Sequence, residues 1–150
     1  MLKRRFKFRW DLNGLYLPFY DQLCELLDES WQPYQGTRTV EAQQKLYDQG
    51  RKSPGKIVTY AQGGESPHNY GCATDWTVWE GDKPLWPSPS DPKWDEYLNA
   101  LEKVGLKSGK SWGDTNHNEL PIRVSWKEIK KTFDNFGMDK ATVKIKQVMA

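Results

Sequence analysis

The sequence predicts an α+β fold, with about four helices set around a short antiparallel sheet. Three observations lead there. Apolar residues recur at helical spacing in separated stretches, and β-branched and aromatic residues gather in short runs between them. Glycines and prolines punctuate the chain from Arg51 to Pro92. The strands and helices do not alternate regularly, which sets a doubly wound parallel sheet aside.

The first helix runs from Leu15 to about Ser30, because Leu15, Phe19, Leu23, Leu26 and Leu27 fall on one face. Trp31 to Gln35 reads as a strand that ends at Gly36, and Val40 to Gln49 as a helix with Leu46 and Tyr47 on one side and Gly50 as its stop signal. From Arg51 to Tyr70, Pro54, Gly55, Gly63, Gly64 and Pro67 predict a long loop, interrupted by the β-prone Ile57-Val58-Thr59-Tyr60. Long loops inside compact domains are often functional. Cys72 to Glu80 is rich in Thr, Val and Trp and reads as a strand, and Pro84, Pro87, Pro89 and Pro92 keep the next segment extended. Ser90 or Asp91 caps the next helix, whose buried stripe is Trp94, Leu98, Leu101 and Val104 and whose end is Gly105. Ser111 to Val124 is strand-like. Ser125-x-x-Glu128 is a capping box, and Trp126, Ile129 and Phe133 line the helix it starts.

Composition narrows the function classes. The chain has 150 residues, 28% of them charged, and carries 8 Trp, 7 Tyr and 5 Phe, which argues for a folded domain rather than a disordered segment. No stretch approaches the ~18 apolar residues of a membrane helix, and the basic start has no apolar run behind it. Neither membrane insertion nor signal-peptide secretion is expected. The net charge of +2 is too small for binding driven by counterion release, so nucleic acid is not an expected partner. Lys3, Arg4, Arg5, Lys7 and Arg9 open the chain and Lys140, Lys144 and Lys146 close it. They read as solvated ends with a modest attraction for an anionic polymer. Cys24 and Cys72 lie in unlike contexts and read as free thiols.

The chain has 2 histidines, His68 and His117, both in glycine- and asparagine-rich turns outside the helical stripes. Asp75 follows His68 after a turn that Gly71 allows to bend. Two imidazoles and a carboxylate make a zinc set with a fourth position open for water, which is the catalytic pattern. Spacing alone leaves an ordinary set of turn residues equally open.

The order of motifs is more specific. Gly36-Thr37-Arg38, Glu41-Ala42-Gln43, Leu46-Tyr47, Gln49-Gly50-Arg51 and Pro54-Gly55-Lys56-Ile57-Val58-Thr59 are followed by Ser66-Pro67-His68-Asn69-Tyr70-Gly71 and Ala73-x-Asp75. This series resembles the zinc D-Ala-D-Ala carboxypeptidase and L-alanyl-D-glutamate endopeptidase family, most closely its phage endolysin branch, over about Gly36 to Leu120. The resemblance implies that His68, Asp75 and His117 hold Zn2+ in a surface groove. It implies that Asp114, three residues before His117, is the catalytic carboxylate that takes the water's proton and delivers it to the leaving amine. Read without the family, Asp114 is a turn residue after Gly113. Glu119 is the other candidate base, since alternation on a strand places it on the face of His117. Arg38 matches an arginine that binds substrate or steadies the oxyanion. Ser66 matches a substrate-binding serine, and Gln43 binds substrate or braces the site. Asn116 and Asn118 depart from the family, which commonly has Pro before the last His and an aromatic after it. Trp94 and Trp126 read as core, while Trp76, Trp79 and Trp86 are candidates for stacking on substrate.

The resemblance implies a zinc metallopeptidase acting on the peptide stem of bacterial peptidoglycan, at the L-Ala-D-Glu bond. A D-Ala-D-Ala carboxypeptidase and a non-catalytic peptidoglycan-binding module with structural zinc are the alternatives. A monomer is expected, with residues 1–150 forming a single catalytic domain and no separate wall-binding domain. As an endolysin it would be made in the host bacterial cytoplasm, without a signal peptide, and released to the cell wall by a separate membrane protein.

Overall fold

Strand β2 (Ala73–Glu80) organises the molecule, and the computed structural model describes residues 2–150 around it. The alternation of side chains along a strand sends Trp76 and Val78 into the main core and Asp75, Thr77 and Trp79 to the opposite face. β1 (Trp31–Gln35) pairs antiparallel with one edge of β2. On the other edge, β5 (Asp114–Glu119) pairs near the start of β2 and β3 (Lys83–Leu85) near its end. β4 (Lys107–Gly109) lies outside β5, so the main path is β1-β2-β5-β4, antiparallel throughout. The α+β class and the short antiparallel sheet are as predicted. The register sets Asp75 directly opposite His117.

Helices close over the core. α2 (Leu17–Leu26) and α4 (Trp94–Val104) pack together, and α5 (Trp126–Phe136) packs on α6 (Met138–Val148). With α1 (Leu2–Arg9) and α3 (Val40–Asp48) there are six α-helices among the described residues, two more than the sequence predicts. Both additional helices are the basic ends. α6 buries Ala141 and Ile145 while Lys140 and Lys146 stay exposed, a narrow apolar stripe inside a lysine-rich segment. α1 departs further from a solvated end. Arg5 is buried and donates to the carbonyls of Cys24 at 2.7 Å, Leu27 at 3.2 Å, Asp28 at 2.5 Å and Trp31 at 2.8 Å. A guanidinium thus satisfies carbonyls left open at the end of α2, where positive charge is also favoured by the helix dipole.

Three further expectations are corrected. The first predicted helix ends at Leu26 rather than Ser30, because Asp28 turns the chain by accepting from the backbone of Ser30 at 2.9 Å. Its buried face is Tyr16, Tyr20, Leu23 and Leu27, with Leu26 exposed. The tyrosines can be buried because each hydroxyl is bonded, Tyr20 to the Arg5 carbonyl at 2.7 Å and Tyr16 to Asn118 at 2.5 Å. Ile57 to Tyr60 forms no strand. Among the described residues no strand pairs with it, and Gln49 and Arg51 side chains donate to the carbonyls of Lys56 and Thr59. Asp91 accepts from Lys93 in a turn ahead of α4, which itself begins at Trp94. Among the described residues no helix is long and apolar enough to cross a membrane. Cys24 and Cys72 are free, as expected, and burial pushes the Cys72 thiol up to about 12.

Candidate metal centre

His68 sits in a 3-10 turn, Pro67–Tyr70, that the local sequence holds at both ends. Ser66 accepts from the His68 amide at 3.2 Å. Asn69 accepts from Gly64 at 3.0 Å and donates to the Arg38 carbonyl at 3.0 Å, which ties the turn to the segment before α3. The turn ends on Gly71, at φ 67°, where an added Cβ would meet the Asn13 nitrogen at 2.6 Å. Only glycine fits both the left-handed backbone and that approach.

This turn delivers His68 to the Asp75–His117 pair on β2 and β5. His68 Nε2 lies 3.3 Å and His117 Nδ1 3.0 Å from the same oxygen, Asp75 Oδ1. One donor atom from each of the three residues lies within 4.8 Å of the others, and all three residues are buried. The remaining ring nitrogens are spoken for. His68 Nδ1 faces the Gly36 carbonyl at 2.8 Å, which keeps its proton there and leaves Nε2 for the centre. His117 Nε2 faces Glu119 Oε1 at 3.0 Å, and Glu119 Oε2 accepts from Trp126 Nε1 at 2.7 Å. Two oriented imidazoles, each held by an outer acceptor, and one carboxylate suit zinc with a position left open.

The electrostatics agree with a cation site. Burial works to raise the Asp75 carboxyl, but its two imidazole neighbours, His68 and His117, hold it well below the usual carboxylate range in the metal-free protein. Burial disfavours a charged His117, yet Asp75 and Glu119 outweigh it and push its pKa up to about 10 in the metal-free protein. Glu119 is itself held low, chiefly by His117 against the cost of burial.

The triad opens into a cavity of about 430 Å³ whose lining includes Arg38, Gln43, Ser66, Asp114 and Trp112. Arg38 donates to Gln43 Oε1 at 2.8 Å, and Gln43 is anchored to the Ala61 carbonyl at 2.9 Å. Asp114 stands on the exposed rim at the start of β5. The crowding of protein around its carboxyl, and then the Asp75 charge, raise its pKa, while His117, His68 and Arg38 oppose the shift. All of the site residues read from the sequence therefore face one cavity. Ser66 is placed to cap the His68 turn, and Glu119 spends its two oxygens on His117 and Trp126.

Several supporting groups carry no clear signal in the sequence. Asn118, at the position of the expected aromatic, is fully buried under the site. Its Nδ2 donates to the Thr74 carbonyl at 3.1 Å and to Tyr97 Oη at 2.9 Å, and Tyr97 in turn donates to the Asn116 carbonyl at 2.8 Å. These bonds form a polar bracket beneath the site. Trp126 falls on a helical apolar stripe, which hides the role of its indole N–H. The tryptophans expected to meet substrate do not line the cavity: Trp76 is fully buried, Trp79 lies under the Arg4 guanidinium at 3.8 Å, and Trp86 packs its edge on Tyr34. Trp112 lines it instead.

Comparison with known proteins adds to this geometry. No protein-family model matches the chain. It is 38% identical over 85 residues to the peptidoglycan L-alanyl-D-glutamate endopeptidase CwlK of Bacillus subtilis, covering 52% of this chain and 51% of that protein. The chain thus matches about half the length of this curated relative. In fold it is similar to the crystal structure of the Serratia marcescens L-Ala D-Glu endopeptidase ChiX, with a TM-score of 0.55, 15% identity, and coverage of 91% of this chain and 92% of that one. The first similarity supports the resemblance carried by the motifs, and the second supports the fold.

Proposed function

We propose that this chain is a zinc-dependent peptidase that cleaves the peptide stem of bacterial peptidoglycan between L-Ala and D-Glu. The observation that carries the reading is the convergence of His68, Asp75 and His117 with the Asp114 carboxylate and the Arg38 guanidinium on one cavity. The named activities of CwlK and ChiX support the choice of bond. Cleavage of an internal bond also suits a groove that continues past Asp114 on a second stretch of surface.

Zinc held by the triad would supply Lewis acidity and a water acidified towards a pKa of ~7. The protein's own groups do the rest. Asp114, on the exposed rim, accepts the proton of the attacking water and passes it to the leaving nitrogen. Arg38, fixed in orientation by Gln43, aims N–H donors at the oxygen on which negative charge develops. Gly36 holds the His68 ring and Ser66 its backbone amide, and Glu119 holds the ring of His117. The resemblance to phage endolysins supports a lytic setting, in which the enzyme is made in the host cytoplasm and reaches the wall through a separate membrane protein.

The direct test of the chemistry is Asp114→Ala. Zinc binding is expected to stay stoichiometric while hydrolysis falls by about 10²–10⁴-fold. Full activity in that variant would remove Asp114 from the mechanism.

A further inference from the structure

A second cavity of about 540 Å³ extends the metal groove. It shares Val58, Thr59, Ala61, Glu65, Trp112 and Asp114 with the first, and adds Tyr60, Gly113 and Lys127. The groove therefore runs from the triad, past Asp114, to Lys127 in the first turn of α5. Its walls there are exposed aromatics, Tyr60 at 83% and Trp112 at 49% exposure. Glu65 already accepts from the Gln62 amide at 2.8 Å. Among the described residues, no carboxylate lies within ion-pair distance of Lys127, although Lys93, Lys130 and Lys131 each have one. The arm thus offers an unneutralised ammonium at the end of an amphipathic trough.

The position of Asp114 fixes which part of a substrate lies there. A group that returns its proton to the leaving amine must stand on the leaving side of the scissile bond. The arm begins at that carboxylate and leads away from the triad. We infer that this arm holds the leaving, C-terminal half of the peptide and that Lys127 pairs with a carboxylate of that half. The inference rests on the proposed peptidase reading and adds to it a substrate polarity and a specificity residue. A leaving half that begins with D-Glu and ends in a free acid carries the matching charge.

The test uses the synthetic tetrapeptide L-Ala-γ-D-Glu-L-Lys-D-Ala, N-acylated, once with both carboxylates free and once with both amidated. Steady-state kinetics are measured for the zinc-loaded wild type, Lys127→Ala and Lys127→Arg. For the free acid, Lys127→Ala is expected to raise KM about fivefold with kcat unchanged, the size expected of one partly solvated ion pair. Lys127→Arg keeps the wild-type KM, and the amidated peptide shows the same KM with all three proteins. Lys127 is exposed, so none of these changes touches the core. A KM shift by Lys127→Ala that is equal for both peptides, or absent for the acid while the wild type cleaves it, would overturn the inference and leave the peptidase reading standing. Failure of the wild type to cleave either peptide would overturn both.

Discussion

Glu119→Gln is a nearly isosteric change whose cost can be worked out from two hydrogen bonds. In the wild type the carboxylate accepts from two buried donors, His117 Nε2 at 3.0 Å and Trp126 Nε1 at 2.7 Å. Glutamine presents one oxygen and one NH2, so one of those donors must face another donor. Glu119 is only 6% exposed, and water cannot readily repair the mismatch. A buried polar group left unpaired costs about 1–3 kcal/mol, and loss of an outer carboxylate behind a ligating histidine typically weakens metal binding about 10–100-fold. The two magnitudes agree, since each 1.4 kcal/mol is about tenfold. Competition of the purified protein against a chromophoric zinc chelator reads the affinity directly. Adding Trp126→Phe to Glu119→Gln removes one donor, so the amide can turn its oxygen to His117 and part of the affinity should return. A Glu119→Gln protein that binds zinc within about twofold of wild type would refute the reasoning, and Glu119 would then be no part of the metal centre's support.

Two other outcomes are expected of the same structure. Because His117 is raised from 6.5 to about 10, the metal-free protein carries a proton there at neutral pH. The stability this proton lends is fully present below about pH 6.5 and lost as pH rises through about 10, while zinc must displace it. Chelator-treated protein should therefore melt lower at pH 10 than at pH 7, and zinc affinity should rise about tenfold per pH unit over that range. An affinity independent of pH would contradict the assignment. Arg5→Met removes the donors to the carbonyls at the end of α2 and is expected to cost about 2 kcal/mol or more. Calorimetry should show a drop in Tm of about 4–8 °C, and an unchanged Tm would return Arg5 to the solvated ends.

The parts of the fold legible in the sequence are those written in local chemistry. The strand at Trp31 to Gln35, the long strand around Asp75, the helix that Gly50 stops and the helix capped at Ser125 carry their signals within a few residues, and each forms there. The convergence of His68 and Asp75 is legible because Gly71 marks a turn between them. The illegible parts depend on distant partners. Nothing near Arg5 in the sequence points to the carbonyls some 20 residues away that bury it. Ile57 to Tyr60 has strand propensity but no edge to pair with, so propensity loses to context. Side-chain type alone says little of Asn118 and Trp126, whose hydrogen bonds arise only when β5, α4 and α5 are brought together. Trp112, in a short polar segment with no periodic pattern, gives no sign that it walls the groove.

The most direct test of the central claim is mass spectrometry of purified peptidoglycan after incubation with the zinc-loaded protein, beside a chelated control. Fragments with a new D-Glu amino terminus are expected, and they are absent when zinc is chelated. Release of free D-Ala instead, or no product from peptidoglycan of several chemotypes while zinc remains bound, would contradict the claim.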